Sequence, residues 1–130
     1  MSAAIDIKAL RDYCLKKPGA FEDFPFGEET LVCKVKDKMF ALIPLDRSNE
    51  PPQISLKCDP HLADMLRDIY DAVKPGYHLN KKHWNTVTVD GSISDEEVLE
   101  MIDQSYILVV KSLKKSDREE IDKLRRKMAK

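Results

Sequence analysis

Cations, amides and an aromatic ring are concentrated in one stretch, KPGYHLNKKHWNTV, which covers residues 74–87. The stretch holds the only tryptophan and two of the three histidines, and residues 74–89 include no Asp or Glu. Lysine and amide side chains hold nucleic-acid phosphates, whereas aromatic rings stack on bases. The residues of these types are Lys74, His78, Asn80, Lys81, Lys82, His83, Trp84 and Asn85. They predict a local cationic binding surface on a chain whose formal net charge is -1.

Structural roles would explain the same residues. A tryptophan at the start of a strand, such as Trp84, is commonly a core anchor, and a pair such as Lys81 and Lys82 is commonly a solvated turn. If the strand is regular, Trp84 must point to the opposite face from His83 and Asn85. We therefore expect Trp84 to be at least half buried and to support the turn that displays Lys81 and Lys82.

Catalytic and metal-binding patterns are much weaker. The chain has four glycines and contains no phosphate-binding glycine loop, nucleophile elbow or zinc-protease motif. The nearest approach to a metal-ligand set consists of Cys58, His61, His78 and His83. Their spacing matches no recurring structural zinc motif, and nothing in the sequence brings a cysteine nucleophile next to a histidine base. We expect a protein that is not an enzyme and that needs neither a metal nor a cofactor.

Length and composition limit the class of protein. The 130 residues suit one domain, spanning residues 1–130, and the charged fraction of 35% is typical of a globule with a charge-rich surface. No apolar run is long enough to cross a bilayer, and the start, MSAAIDIKALRD, does not resemble a secretion signal. The three cysteines include no CxxC pair, which favours reduced thiols. We expect a cytoplasmic protein.

The first half of the chain changes from a helical to a strand pattern. Ile7, Leu10 and Cys14 recur at helical spacing and predict a helix over residues 2–17. Residues 20–29, AFEDFPFGEE, predict an aromatic loop whose three Phe rings fill one edge of the core, with a ligand pocket as the alternative. Alternating patterns then predict strands at residues 29–35, 39–45 and 53–57 in an antiparallel meander.

A second helix and a last strand follow the meander. Asp59 can cap free amide groups and Pro60 fits the first helical turn, so a helix is predicted from Pro60 to about residue 70. The apolar stripe of this helix consists of Leu62, Met65, Leu66 and Ile69. Residues 84–89 alternate as a strand, which the Asp90-Gly91 pair ends in a turn.

Two capping boxes predict the C-terminal helices. Ser94 with Glu97 begins a long helix, and Ser116 with Glu119 begins a charged helix from about residue 116. The core-facing stripe of the long helix consists of Val98, Leu99, Ile102, Tyr106, Val109 and Leu113. The predicted order, α-β-β-β-α-β(β)-α-α, indicates the α+β class, in two layers with helices packed on one side of an antiparallel sheet. The other face of the sheet is then only partly covered.

Two adjacent segments, HLNKKHWNTV and DGSISDEEVLEMIDQSYILVV, occupy residues 78–87 and 90–110. Together with the earlier YCLKKPGA and ISLKCDP, they resemble the signature of the YjbR/MmcQ family of small bacterial proteins. The resemblance implies a CyaY-like fold, related to the secretion-chaperone-like architecture, and it implies DNA binding through a double-wing arrangement. The residues on which the family motif falls are His78, Asn80, Lys81, His83 and Trp84, with Lys57 as a further polar position.

The residues and the resemblance together favour a monomeric DNA-binding protein. The lysines expected to hold the DNA backbone are Lys57, Lys74, Lys81 and Lys82. The side chains expected to touch grooves or bases are Asn80, Trp84 and Asn85. A protein-interaction or chaperone-like module without nucleic-acid binding is the alternative, because one sheet face stays partly open and the architecture is shared with secretion chaperones. Neither hypothesis involves a membrane.

Overall fold

Four helices and six strands make up the computed structural model, which describes residues 5–47, 50–76 and 79–128. In chain order the elements are α1 (Ile7–Leu15), β1 (Ala20–Asp23), β2 (Thr30–Val35), β3 (Lys38–Pro44), β4 (Gln53–Lys57), α2 (Pro60–Ile69), β5 (Val73–Pro75), β6 (Trp84–Thr88), α3 (Asp95–Lys111) and α4 (Lys115–Met128). The predicted α+β class is confirmed, with one strand more than predicted at the start of the sheet.

The strands form one antiparallel sheet in the order β1-β2-β3-β4-β6-β5. Side chains alternate between the two faces along each strand. On one face, Leu31, Cys33, Ile54 and Leu56 share a core cluster with residues of α1 and α3, so the helices cover that face, as predicted. The opposite face, which we call the helix-free face, carries Val32, Leu42, Ser55, Trp84 and Thr86.

The main core lies between the sheet and the helices α1 and α3. Leu10 and Cys14 of α1 are buried there, together with Ile102 and Tyr106 of α3. The Tyr106 ring meets the ring of Phe40 edge to face, with the ring centroids 5.3 Å apart. The predicted stripe of α3 is confirmed. Its buried members are Val98, Ile102, Tyr106, Val109 and Leu113, and Leu99 packs against the same cluster.

Side-chain caps determine where three of the described helices begin. Asp6 accepts a hydrogen bond from the backbone N–H three residues later, at 2.8 Å, so α1 begins at residue 7, and the first three residues of the predicted helix, 2–4, lie outside the described residues. Asp59 caps α2 and Ser94 caps α3, both as predicted. The predicted cap at Ser116 is wrong, because α4 begins at Lys115 and Ser116 lies inside its first turn.

The predicted aromatic loop is wrong in its first half, because Ala20–Asp23 is an edge strand that pairs with β2. The three rings do not fill the core either. Phe21, Phe24 and Phe26 are 44%, 38% and 61% exposed. The pleat of β1 explains the first of these, since it turns Phe21 onto the helix-free face, and the other two rings follow the strand beyond the edge of the helix layer.

Helix α2 exposes most of the apolar stripe that was predicted to face the core. Leu62, Met65 and Ile69 are 39%, 56% and 63% exposed. The helix is instead attached through the small, buried Ala63 and through the polar side chain of Arg67. The reason is the position of α2 at the sheet edge, where the neighbouring strand β5 has three residues and offers little surface to cover a stripe.

Helix α4 is attached through the middle of its length. Ile121 is buried in the main core, whereas Leu124 and Met128 are exposed. Lys36, in the turn between β2 and β3, donates a hydrogen bond to Glu120 of α4, and this bond raises the pKa of Lys36. None of the helices in the described ranges is both long and apolar enough to span a membrane.

Candidate nucleic-acid interface

Trp84 anchors the segment that precedes β6. Its side chain is 8% exposed and packs with Val32 and Leu42 in a second, smaller cluster on the helix-free face. Met39 and Leu79 pack against this cluster. The prediction that Trp84 is at least half buried is confirmed. Its burial also removes the indole from the surface on which a base could stack, so the predicted base contact by Trp84 is corrected.

The chain passes very close to Trp84 at Gly76. The Gly76 N–H donates a hydrogen bond to the Trp84 carbonyl at 2.8 Å. A Cβ atom at position 76 would lie 2.7 Å from the Trp84 Cβ, closer than real Cβ atoms come to one another. Glycine is therefore required where these two segments cross.

Residues 80–83 form a tight turn that displays two lysines. The Asn80 carbonyl accepts hydrogen bonds from the backbone N–H groups of His83 at 3.2 Å and Trp84 at 3.0 Å. The Asn80 side-chain oxygen accepts a bond from the Lys82 N–H at 2.9 Å, a closure typical of asparagine in turns. Asn80 is thus a turn-forming residue, and it holds the exposed Lys81 and Lys82 at the end of the sheet.

Two further lysines lie beside this turn on the helix-free face. Lys57 of β4 is opposite Trp84 in the sheet register, and Lys74 of β5 is opposite Thr86. Because Trp84 and Thr86 are two residues apart on one face of β6, the two lysines share that face. Ordinary strand spacing puts their Cα atoms about 12 Å apart.

We call Lys57, Lys74, Lys81 and Lys82 the lysine rim. Within the described ranges, none of the four forms an ion pair, whereas Lys34 and Lys36 pair with acids. Three rim lysines are exposed and the one in β4 is half-buried. The half-buried His83 lies beside them, and its carbonyl accepts a bond from the N–H of residue 58 at 2.8 Å. His78, also predicted as a site residue, lies outside the described residues.

Arg67 holds the turn in place, although the sequence did not indicate it. Its Nε donates to the Asn85 side-chain oxygen at 2.7 Å, and its Nη2 donates to the carbonyls of Lys81 and Trp84, the latter at 3.3 Å. Asn85 is 3% exposed and faces α2, where its amide nitrogen donates to the Ala63 carbonyl at 3.4 Å. The predicted contact between Asn85 and DNA is therefore corrected to a structural role.

Replacing Arg67 by leucine should lower the free energy of unfolding by about 1–3 kcal/mol, because the buried Asn85 amide oxygen and the Lys81 carbonyl lose the Arg67 donor, while the Trp84 carbonyl keeps its bond from the Gly76 N–H. Urea unfolding measures the loss, and hydrogen exchange should show faster exchange of the amides in residues 81–85. Arg11→Leu is the matched control. It removes a partly exposed ion pair with Glu22 and should cost less than about 1 kcal/mol. Equal losses in both variants would contradict the role assigned to Arg67.

The described residues offer little for covalent or metal chemistry. No group of three or more His, Cys, Asp or Glu side chains among them could hold a metal ion. Burial raises the pKa of the Cys58 thiol, which keeps the thiol protonated at neutral pH and makes it a poor nucleophile. His61, predicted as a possible partner, is exposed at the start of α2, while Cys58 is buried.

A cleft of about 500 Å³ opens on the helix-free face next to the lysine rim. Its apolar walls include Phe26, Leu42, Pro44 and Leu79. Ser55 of β4 and Thr86 of β6 line its base, and their hydroxyl oxygens are hydrogen bonded at 2.8 Å. The sequence did not indicate these two residues as a site. The alternative interpretation of the aromatic segment, as part of a ligand pocket, agrees with the position of Phe26.

The sequence that forms this fold and this turn matches a known protein family. A family model described as YjbR matches residues 15–108. The chain belongs to the YjbR family. This family assignment agrees with the resemblance carried by residues 78–110, and the match includes all the residues of the lysine rim.

Two relatives of this YjbR-family chain are similar to it in sequence over most of their length. It is 38% identical to Uncharacterized protein YjbR of Escherichia coli (strain K12) over 112 residues, which is 86% of this chain and 93% of the relative. It is 40% identical to Uncharacterized protein YbdF of Escherichia coli O157:H7 over 98 residues, which is 75% of this chain and 79% of the relative.

Two solved structures extend the comparison. The crystal structure of a Deinococcus radiodurans protein with a DUF419 domain gives a TM-score of 0.83 at 41% identity, covering 90% of this chain and 88% of that one. The crystal structure of a Pseudomonas syringae protein gives a TM-score of 0.67 at 28% identity, covering 80% and 98%. The names of the relatives and of the two solved structures state no activity, so the comparisons show the family and the fold of this chain.

Proposed function

We propose that the chain is a cytoplasmic, monomeric protein that binds the backbone of DNA and catalyses no reaction. The lysine rim is the observation that carries this proposal. Its four lysines have no acidic partner within the described ranges and lie at one end of the sheet, and residues 74–89 add no acid. Lysine side chains displayed in this way position a protein on phosphates without reading a sequence.

The charge of the whole chain predicts a modest affinity. The formal net charge is -1, so the chain as a whole does not attract DNA, and attraction depends on local groups of lysines such as the rim. Neutralising three or four phosphates should make log affinity fall with log salt at a slope of about −3 to −4. Fluorescence anisotropy with a labelled duplex at several salt concentrations measures this slope. Failure to bind at concentrations on the order of tens of micromolar would remove the proposal.

The double substitution Lys81→Ala with Lys82→Ala should reduce the salt slope by about two, because two phosphate contacts are lost. The melting temperature should stay nearly unchanged, since both side chains are exposed and the turn is held by backbone and Asn80 bonds. Anisotropy titrations and thermal unfolding followed by circular dichroism measure the two quantities.

The chain offers a matched control in Lys114 and Lys115, another exposed lysine pair, which lies where α3 passes into α4. Substituting both by alanine removes the same charge and should leave the salt slope unchanged. If both double variants lowered the slope equally, net charge and not the lysine rim would account for binding. If neither changed it, the turn would have to be reassigned as structure.

A protein-interaction module remains the second candidate, and the exposed stripe of α2 is the observation that favours it. Leu62, Met65 and Ile69 present apolar surface to solvent at the sheet edge. A cavity of about 220 Å³ between α2 and α3 adjoins this stripe and is lined in part by Leu62 and Glu100. Exposed apolar patches of this kind commonly mark contacts with other proteins.

Capture of partners from lysate, with and without nuclease, separates the two candidates. Partners that are lost on nuclease treatment support DNA binding, and partners that persist support a protein client. The variant Met65→Lys should lose only the partners that persist after nuclease treatment, because it places a charge in the middle of the α2 stripe.

A further inference from the structure

The cleft on the helix-free face has the size and the mixed lining of a small-molecule site. Its volume of about 500 Å³ is well within the range of roughly 300–1,000 Å³ that such sites occupy. Apolar walls with a few polar groups at the base suit a flat molecule that has hydrogen-bonding groups on its edge.

The register of the sheet places two members of the lysine rim, Lys57 and Lys74, near the residues that form the base of the cleft. Lys57 follows Ser55 by two residues on the same face of β4, and Lys74 lies directly opposite Thr86. Neighbours of this kind on one sheet face lie about 5–7 Å apart. Phosphates held by these two lysines would lie next to the cleft, within reach for a base attached to them to enter it.

Phe26 supplies an aromatic surface at the cleft wall. Its ring is 61% exposed, although Phe is a residue type that folding normally buries. An exposed aromatic ring in the wall of a cleft offers a surface on which an unpaired base can stack. Trp84, the ring first expected to do this, lies buried on the same face, where it packs with Leu42 and Leu79 of the cleft wall.

The polar groups of the cleft can engage the edge of a base. The Gln53 amide nitrogen donates to the Thr88 hydroxyl at 3.2 Å, which leaves the amide oxygen of Gln53 as an acceptor. The Ser55 hydroxyl uses one of its three hydrogen-bonding positions on Thr86. Arg47 lines the cleft next to Asp46. Its Nε donates to the Pro51 carbonyl at 3.2 Å and its Nη1 pairs with Glu50 at 3.0 Å, so Nη2 is the donor left for a ligand. Because hydroxyl groups both donate and accept, the site would accept more than one base.

We infer that the cleft takes an unpaired nucleobase and that the ligand of this face is single-stranded nucleic acid. This inference rests on the proposed function, because the lysine rim must hold the backbone from which the base extends. A base inside a duplex is stacked and paired, and it would have to be flipped out at a cost of a few kcal/mol before it could enter. Single strands carry no such cost.

Four labelled probes of equal length test the inference by fluorescence anisotropy: single-stranded DNA, single-stranded RNA, duplex DNA and a single strand of abasic DNA. We expect the base-bearing single strands to bind more tightly than the duplex, and the abasic strand to bind at least fivefold more weakly than its base-bearing counterpart. Comparing the DNA and RNA strands distinguishes the two sources of an unpaired base. A strand with one 2-aminopurine should change its fluorescence when that base leaves its stacked neighbours and packs on Phe26.

Phe26→Ala provides the decisive variant, and Phe24→Ala is the matched control. Both rings are exposed, and Phe24 does not line the cleft. Phe26→Ala should weaken binding of the base-bearing strand at least fivefold, leave binding of the abasic strand unchanged and remove the change in 2-aminopurine fluorescence. The control variant should change none of these.

The outcomes separate this inference from the proposed function. Equal, salt-sensitive binding of the base-bearing strand, the abasic strand and the duplex would overturn the base site and leave backbone binding by the rim intact. Unchanged binding in Phe26→Ala would also overturn the base site. Failure of every probe to bind would overturn the base site together with the proposed function.

Discussion

Trp84→Ala should lower the free energy of unfolding by about 3–5 kcal/mol and weaken nucleic-acid binding at the same time. The indole is 8% exposed and fills the space between Val32 and Leu42 on the helix-free face. Removing it leaves a cavity that the surrounding strands cannot close. Leu79, which packs against the same cluster, loses its support, and the turn that displays two rim lysines follows Leu79 in the chain.

Urea unfolding followed by far-ultraviolet circular dichroism measures this loss, since the variant has no tryptophan fluorescence. Trp84→Phe is the control, because it retains an aromatic ring and should recover most of the stability and the binding. A variant Trp84→Ala that kept its stability and lost only binding would show that the indole contacts the ligand directly, contrary to its burial.

Ile102→Ala should cost about 2–4 kcal/mol, because Ile102 has no exposed surface and lies in the main core between α3 and the sheet. A domain of this size is stable by about 5–15 kcal/mol in total, so one substitution removes a large part of the margin. The salt slope of nucleic-acid binding should not change at temperatures where the variant is folded, since α3 packs on the face opposite the lysine rim.

Ile69→Ala is the matched control, because Ile69 is also a helical isoleucine but is 63% exposed. Its cost should stay within about 0.5 kcal/mol. Chemical unfolding of both variants under one set of conditions gives the comparison. Similar losses at the two positions would mean that the helices bury different faces from those described.

Interactions within a few residues of one another could be predicted from the sequence. Asp59 with Pro60 begins α2, and Ser94 begins α3, because a cap needs only the N–H groups two or three residues ahead of it. The strand Gln53–Lys57 was predicted with the same bounds, because its alternation is a local signal. The α3 stripe followed from the same helical periodicity that places Ile102 in the core.

The sequence alone also determined that residues 74–89 carry cationic and amide groups with no acid, and that Trp84 faces away from Asn85. It did not determine which of these side chains are exposed. Burial depends on what the other segments cover, and the structure makes Trp84 and Asn85 interior residues while it leaves Lys81 and Lys82 in solvent.

Only the tertiary structure decided the remaining features, because each depends on residues that are far apart in the chain. The Ser55 and Thr86 hydroxyls at the base of the cleft are 31 residues apart and meet through the pairing of β4 with β6. Arg67 reaches Asn85 across 18 residues through the docking of α2. The α2 stripe is exposed because its neighbour β5 is short. Long-range pairing of this kind leaves no periodic signal in the sequence, so the lysine rim could be predicted residue by residue and the cleft beside it could not.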